Sequence, residues 1–365
     1  MNEPKHNLDR QTGPEVLRII AMLLIVFHHF ALHGGIEYTT FSLSNAYLNI
    51  IEFGGKIGVN VFVIITGYFS CTSKFSFQKI FKLLFAVEFY SLTLMIVSLF
   101  TGAQEFRVML FVKGVFPLLF DGYCFVTIYI ILYVLSPFLN AGIGKLRKTH
   151  LSFIIVFLLV LYCILPNTIG RVKPISSFEY SMVIWFVTMY LIGGYFRHYG
   201  FTLIKHTTIA LVLLIMSLFI MLGARTLQLY LGANYGGKIA ELIKVFAEYN
   251  PNSIMSLVIS ILMFCVFLPI QFRGNKMFFS ISNATFGVYL IHDNPLFYKY
   301  MWENIIHTKE IYNMPLFIPL SIISILLLYI VCTVIEIIRE KYIEKPLFSL
   351  NGINKFISFL DLKIT

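Results

Sequence analysis

Residues 15–32 read EVLRIIAMLLIVFHHFAL. Apart from Glu15, Arg18, His28 and His29, every side chain in this stretch is apolar. Its length approaches the ~20 residues that a helix needs to cross a bilayer. Lys5 and Arg10 precede it, as positive residues precede the apolar part of a signal peptide. Three features separate it from one. The run from Val16 to Leu32 is longer than a signal's apolar region, it carries Arg18, His28 and His29, and it lacks a clear small-x-small cleavage site. It reads as a retained first membrane helix.

The rest of the chain repeats this character. Hydrophobic residues make up 58% and charged residues 13%, against about 25% charged in a soluble domain. The mean hydropathy is +0.82. A water-soluble fold could not hide this much apolar surface. Further apolar runs lie at about 47–71, 79–101, 123–141, 151–168, 181–197, 207–223, 254–270, 278–298 and 315–338. The pattern predicts an all-α, multi-pass integral membrane helix bundle of about ten transmembrane helices. It forms one transmembrane domain over residues 1–365, with short tails at about 1–14 and 339–365. The stretch from Val108 to Phe120, interrupted by Lys113 and Pro117 and followed by Asp121, reads as a short interfacial or re-entrant piece. The widest external gap, 224–252, is too short for a soluble catalytic domain, so any chemistry belongs in the bundle.

The formal net charge is +10. No basic face or reading helix accompanies it, which argues against nucleic acid as a partner. The positive residues fall in short gaps between apolar runs, as membrane orientation and an anionic lipid leaflet require. With the N-terminus in the cytoplasm, 17 Lys and Arg lie in inside gaps and 10 in outside gaps, and Arg18 lies within a span. Both termini are therefore expected to be cytoplasmic. Cys71, Cys124, Cys163, Cys265 and Cys332 form no C-x-x-C pair and read as small buried hydrophobes. No ligand cluster has metal-site spacing, so no metal is expected.

Ionisable groups inside a span are costly and point to function. Arg18 and His29, eleven residues apart, share one helix face about 20° out of register and about 16 Å apart along the axis. His28 falls about 80° to the other side. Glu15, three before Arg18, can pair with it. The plainer reading has Arg18 reaching the inner headgroups and His29 making an interhelical hydrogen bond. Their shared face and the depth of His29 favour function. In GKIGVNVFVIITGYF, residues 55–69, Asn60 and Thr66 are polar among apolar neighbours, and the glycines permit close helix approach. Lys79 and Lys82 open the third helix, either as a solvated basic edge or as a grip for phosphates arriving from the cytoplasm. Glu88 lies deeper and must be paired or protonated. His292, next to Asp293, falls towards the outer surface and by itself reads as an interfacial histidine. In order of depth these residues form a polar track from an anionic cytoplasmic ligand to an external acceptor. The Arg18–His29 separation is comparable to an extended pantetheine arm, which suggests acyl-CoA.

The same residues resemble the membrane acyltransferase-3 family, the O-acyltransferases that decorate bacterial surface sugars. The resemblance runs through Arg18 and His29, then Gly58 to Tyr68, the basic pair Lys79 and Lys82, Tyr123 to Asn140, Ser282 to His292 (which includes Tyr289), and Glu344 to Pro346. Five positions depart from the family pattern. Cys124 replaces a usual Trp, Asn60 and Thr66 stand where Asp and Ser are common, and the basic pair is lysine rather than arginine. The resemblance implies transfer of an acyl group, acetyl by analogy, from cytoplasmic acyl-CoA to a sugar hydroxyl. The acceptor would be a surface polysaccharide or lipid-linked glycan at a bacterial plasma membrane. His29 would be the general base, Arg18 would orient the donor or stabilise negative charge, and Asn60 would donate to the oxyanion. A reading from another class is a transporter or flippase for polysaccharide or lipid-linked sugar. Against it stand the absence of a repeat and of paired broken helices.

The charge distribution makes a topological prediction. In an Asn234→Cys variant, an impermeant thiol reagent should label the 224–252 segment in intact cells. Labelling only after lysis would reverse the assigned orientation.

Overall fold

Hydrocarbon offers no partner to a backbone N–H or C=O, so a chain of this composition must close its hydrogen bonds within helices. A computed structural model of the chain describes residues 11–36, 42–120, 122–169, 181–235, 244–247 and 250–362, and no strand occurs among them. The principal helices are α1 (Thr12–His33), α2 (Leu43–Ser70), α3 (Phe77–Phe100), the short α4 (Val108–Val115), α5 (Cys124–Lys145) and α6 (Lys148–Thr168). They continue with α7 (Met182–Tyr199), α8 (Thr207–Tyr235), α9 (Ile254–Phe267), α10 (Lys276–Asn283), α11 (Thr285–His292), α12 (Phe317–Ser349) and α13 (Asn351–Leu362). Side chains at the starts satisfy backbone donors that helix geometry leaves open. Ser42, Ser76, Ser181, Ser253 and Asn275 cap α2, α3, α7, α9 and α10 in this way.

Seven helices are long and apolar enough to cross a membrane among the described residues: α1, α2, α3, α5, α6, α8 and α12. The other expected spans differ in form. α7 ends in Arg197 and His198, and α9 has 14 residues. The expected span 278–298 is two helices that meet at Ala284, after which the chain turns at Asp293. The Thr285 hydroxyl donates to the Ser282 carbonyl at 2.9 Å, and such bonding to the preceding turn bends helices. α8 runs to Tyr235, well into the expected 224–252 loop. α12 runs to Ser349 through a π-helical segment, Glu340–Glu344, so the expected C-terminal tail is largely helical. The Val108–Phe120 piece contains the eight residues of α4, and Asp121 lies outside the described residues.

One set of buried side chains joins α2, α5, α6, α7, α8 and α9, and a second joins α1, α3, α11 and α12. α1, α2 and α5 contribute to both. The outward faces are also apolar: on α8, Phe219 is 71% exposed and Met216 52%, a surface suited to lipid. Several helix contacts are unusually close. A Cβ on Gly58 would strike the Ala21 carbonyl of α1, and one on Gly193 of α7 would strike the Ile64 carbonyl of α2.

Side-chain contacts group the helix ends. At one end Asn140 donates to the Ser70 carbonyl at 2.9 Å, Arg197 to the Tyr68 hydroxyl at 3.4 Å, and Lys82 faces Glu344 at 3.7 Å. At the other end Arg225 donates to Asn49 Oδ1 at 2.8 Å and Tyr312 to Asn45 Oδ1 at 2.6 Å. α1 and the α10–α11 unit run parallel, joined by Glu15 and Ser282 at the first end and by His29 and His292 at the second. α13 lies across the first end. Its Asp361 carboxylate accepts from the Phe77 N–H at 2.7 Å and the Ser76 hydroxyl at 3.1 Å, so it caps α3.

The glycine crossing can be tested directly. Gly193→Val should lower stability by about 1–3 kcal/mol, the usual range for overpacking, whereas the same change at Gly142, whose Cβ position is open, should cost less. Thermal unfolding in detergent measures the difference.

Candidate active site

Among the helix ends that gather at Lys82, two adjoining hollows of about 370 and 290 Å³ share Arg18, Thr66, Leu83 and Tyr129 in their walls. α1 supplies Arg18 because its i,i+3 spacing from Glu15 lets the two side chains meet. Arg18 Nη1 donates to both Glu15 oxygens, at 3.0 and 3.1 Å. The Ser282 hydroxyl donates to the same carboxylate. Thr66 donates to the Phe62 carbonyl at 2.8 Å, with the Tyr129 hydroxyl 3.3 Å away.

The hollows differ in charge, and the two lysines part company. The larger adds Lys82 and Arg339 together with Glu336, Glu340 and Glu344, so its cations are balanced by carboxylates. The smaller carries Arg18 and Lys79 with no carboxylate in its lining, beside Ser70 and Ser73. Lys79 Nζ stands 6.0 Å from the centre of the Tyr133 ring, and Tyr133 is itself tied to Ser76. An entering anion therefore meets Lys79, which has no carboxylate beside it in the lining, and an Arg18 guanidinium already shared with Glu15, rather than the carboxylate-paired Lys82.

Sequence reading missed the most buried ionic group here. Arg339, 3% exposed, donates to both oxygens of Glu336, at 2.7 and 2.8 Å, and to Glu344 at 2.7 Å. Tyr90 donates to Glu336 at 2.7 Å. The E-x-x-R spacing of Glu336 and Arg339 was the available signal, but it looks like an ordinary charged helix end.

At the opposite end of α1 the hydrogen bonds specify histidine tautomers. His292 Nδ1 lies 2.6 Å from the Val288 carbonyl, which can only accept, so Nδ1 carries the proton and Nε2 holds a lone pair. That lone pair faces His29 Nδ1 at 2.9 Å, so His29 donates through Nδ1 and its own Nε2 is left as a base. Asp293 Oδ1 lies 3.7 Å from His29 Nδ1 and 3.2 Å from His33 Nε2, where it can stabilise an imidazolium. Tyr289 packs with its ring centre 6.5 Å from that of His29. His33 and Asp293 did not emerge from the sequence as site residues. His28, by contrast, is turned to the Glu52 carbonyl and packs beside Gly55.

Not every expected residue joins these groups. Asn60 is fully buried. Its amide donates to the Pro251 carbonyl at 2.7 Å and accepts from the Trp185 indole at 2.8 Å, so it links helices. Glu88 is half-buried on α3, outside the walls of both hollows, with no hydrogen bond or ion pair among the described residues. His29 does not line either hollow. Phe125 lines the larger hollow, and its ring centre lies 5.5 Å from that of Tyr289, which packs with His29.

Chemically, the arrangement offers a cationic pocket at one end of α1 and an oriented imidazole base at the other. A family model described as an acyltransferase domain, of the acyltransferase-3 type, matches residues 11–335. No curated protein and no solved structure matches the chain.

Arg339→Met leaves Glu336 buried without its cation and Glu344 with Lys82 alone. The change should cost about 3–5 kcal/mol, as removal of one partner from a buried pair does. Combining it with Glu336→Gln should recover part of the loss. Denaturant unfolding in mixed micelles checks both; a single variant as stable as the parent would show that the cluster contributes little.

Proposed function

The chain belongs to the acyltransferase-3 family, and from that premise we propose that it moves an acyl group, acetyl in the simplest case, from cytoplasmic acyl-CoA to a sugar hydroxyl of a bacterial surface polysaccharide or lipid-linked glycan. The observation that carries this reading is the placement of Arg18 and His29 on one helix. Arg18, held by Glu15, opens on a pocket that also presents Lys79 and has no carboxylate in its lining, and His29 holds a base nitrogen at the other end.

We also propose ten crossings of the plasma membrane with both termini cytoplasmic. Same-end contacts support the alternation. The ends of α2, α5 and α7 meet one another, Tyr199 of α7 reaches Leu146 between α5 and α6, and the Lys82 end of α3 meets the end of α12, while the start of α2 meets α8 at Arg225.

In this reading the phosphates of the donor sit against Arg18 and Lys79, and the neutral pantetheine arm extends past Phe125 and Tyr289 towards His29. His29 Nε2 takes the proton from the acceptor hydroxyl as its oxygen attacks the thioester carbonyl. Collapse of the tetrahedral intermediate expels the thiolate of coenzyme A, and the imidazolium returns the proton to it. His292 holds the ring, and Asp293 offsets the transient positive charge. The amide of Asn60 is already engaged at both its oxygen and its nitrogen, so it is not assigned to the oxyanion.

Transfer of radiolabelled acetyl from acetyl-CoA into glycans of inverted membrane vesicles tests the proposal. His29→Ala should lower transfer by about 10²–10⁴-fold, the usual scale for losing a general base, while His28→Ala keeps substantial activity. Arg18→Lys should be severely impaired because a point charge cannot reproduce the guanidinium fork. Lys79→Gln should raise the donor KM more than Lys82→Gln does. Equal activity of His29→Ala and its parent, at matched membrane levels, would remove His29 as the general base, and absence of transfer by the parent would remove the enzymatic reading.

A further inference from the structure

His29 and His33 lie one turn apart on α1, a spacing that presents two imidazoles on one face of a helix. Asp293 follows directly on α11. One ligating atom each of His29, His33 and Asp293 lie within 4.8 Å of one another, with Asp293 Oδ1 3.2 Å from His33 Nε2 and 3.7 Å from His29 Nδ1. Around tetrahedral zinc, with bonds of ~2.0–2.1 Å, ligand atoms stand roughly 3.3–3.4 Å apart. Small side-chain rotations bring these three atoms to that separation. Two histidines and one carboxylate form a donor set used by zinc and by non-haem iron.

The surroundings fit an ion as well. The side chains of His33 and Asp293 are 21% and 18% exposed, which gives solvent a route in, while His29 is buried. His292 Nε2 brings a further lone pair to within 2.9 Å of the same His29 nitrogen. Its other nitrogen is held by the Val288 carbonyl, the outer support that ligating histidines usually have.

We propose that His29, His33 and Asp293 form a site for a divalent transition metal, and that the bound ion silences His29 as a base. Coordination through Nδ1 requires the lone pair of that nitrogen, so the proton it carried moves to Nε2. The ring stays neutral and no proton is lost. An imidazole protonated at Nε2 cannot accept a proton from a hydroxyl there. His292, released from His29, turns its lone pair to the metal or to water. The binding stands on geometry alone, whereas the silencing rests on the acyl-transfer reading above.

Cobalt(II) titration of the purified full-length protein in detergent reads binding without any assay of transfer. A visible d–d band should saturate at one ion per chain and be displaced by zinc. His33→Ala and Asp293→Ala should each weaken binding at least tenfold, while His150→Ala, on α6, leaves it unchanged; thermal melting confirms that each variant is folded. Failure of the unsubstituted protein to saturate at one ion would overturn the site. So would a thiolate-to-cobalt band, which would place the ion at the exposed Cys124. In membrane vesicles zinc should stop acetyl transfer, a chelator should restore it, and His33→Ala should need at least ten times more zinc. Binding at this site with transfer undiminished by zinc would overturn the switch. Metal binding with no transfer under any condition would count instead against the acyl-transfer reading.

Discussion

The hydrogen bond from the Ser282 hydroxyl to the Glu15 carboxylate sets the relation between the two ends of the site. Glu15 is 4% exposed, and an unpaired carboxylate in an apolar bundle would be expensive. Ser282 and Arg18 share its two oxygens. Satisfying that charge fixes α10 against the first turn of α1 and turns Arg18 to the hollows. Because α1 and the α10–α11 unit run parallel, the same register brings His29 to His292 at their far ends. The bend at Ala284 belongs to this arrangement, since it begins at the serine that makes the bond. The rest of the bundle obeys the same rule: a polar group withdrawn from water needs a partner. Asn60, Asn140 and Arg339 each find theirs on another helix or helical turn.

What the sequence revealed follows the range of the physics involved. Helical structure was legible from composition, because lipid forces local hydrogen bonding. The shared face of Arg18 and His29 was legible because it needs only helix geometry within one segment. Continuity was less so: nothing local announced that Thr285 would bond back to Ser282, or that α8 would continue to Tyr235. The fate of Asn60 depends on partners 125 and 191 residues away, and no single-segment pattern contains them. Lys79 and Lys82 look alike in sequence and differ in the fold, where Glu344 meets only one of them. His33, four residues after His29, went unremarked in the sequence, because the carboxylate that completes their cluster arrives from the end of α11.

The tautomer chain connects packing to chemistry. Val288 contributes only a backbone carbonyl, yet that acceptor determines which nitrogen of His292 is protonated and, through it, which nitrogen of His29 is basic. A change in the bend at Ala284 would shift this carbonyl without touching either imidazole. Residues that shape α11 therefore influence reactivity through position alone. The same dependence explains why His28, adjacent in sequence and also buried, is chemically distinct: its Nδ1 is turned to a carbonyl of α2.

The cap that Asp361 places on α3 has a consequence for biogenesis. The capping carboxylate lies 284 residues beyond the backbone N–H it satisfies, so translation of the intervening helices separates the two in time. During that interval the first turn of α3, which carries Lys79, is held by Ser76 and its neighbours alone. The basic end of the pocket thus gains its last fastening only after α13 has been synthesised. Closure of this cap is a late step of assembly, and the order of synthesis leaves the end that carries Lys79 among the last parts of the fold to be secured.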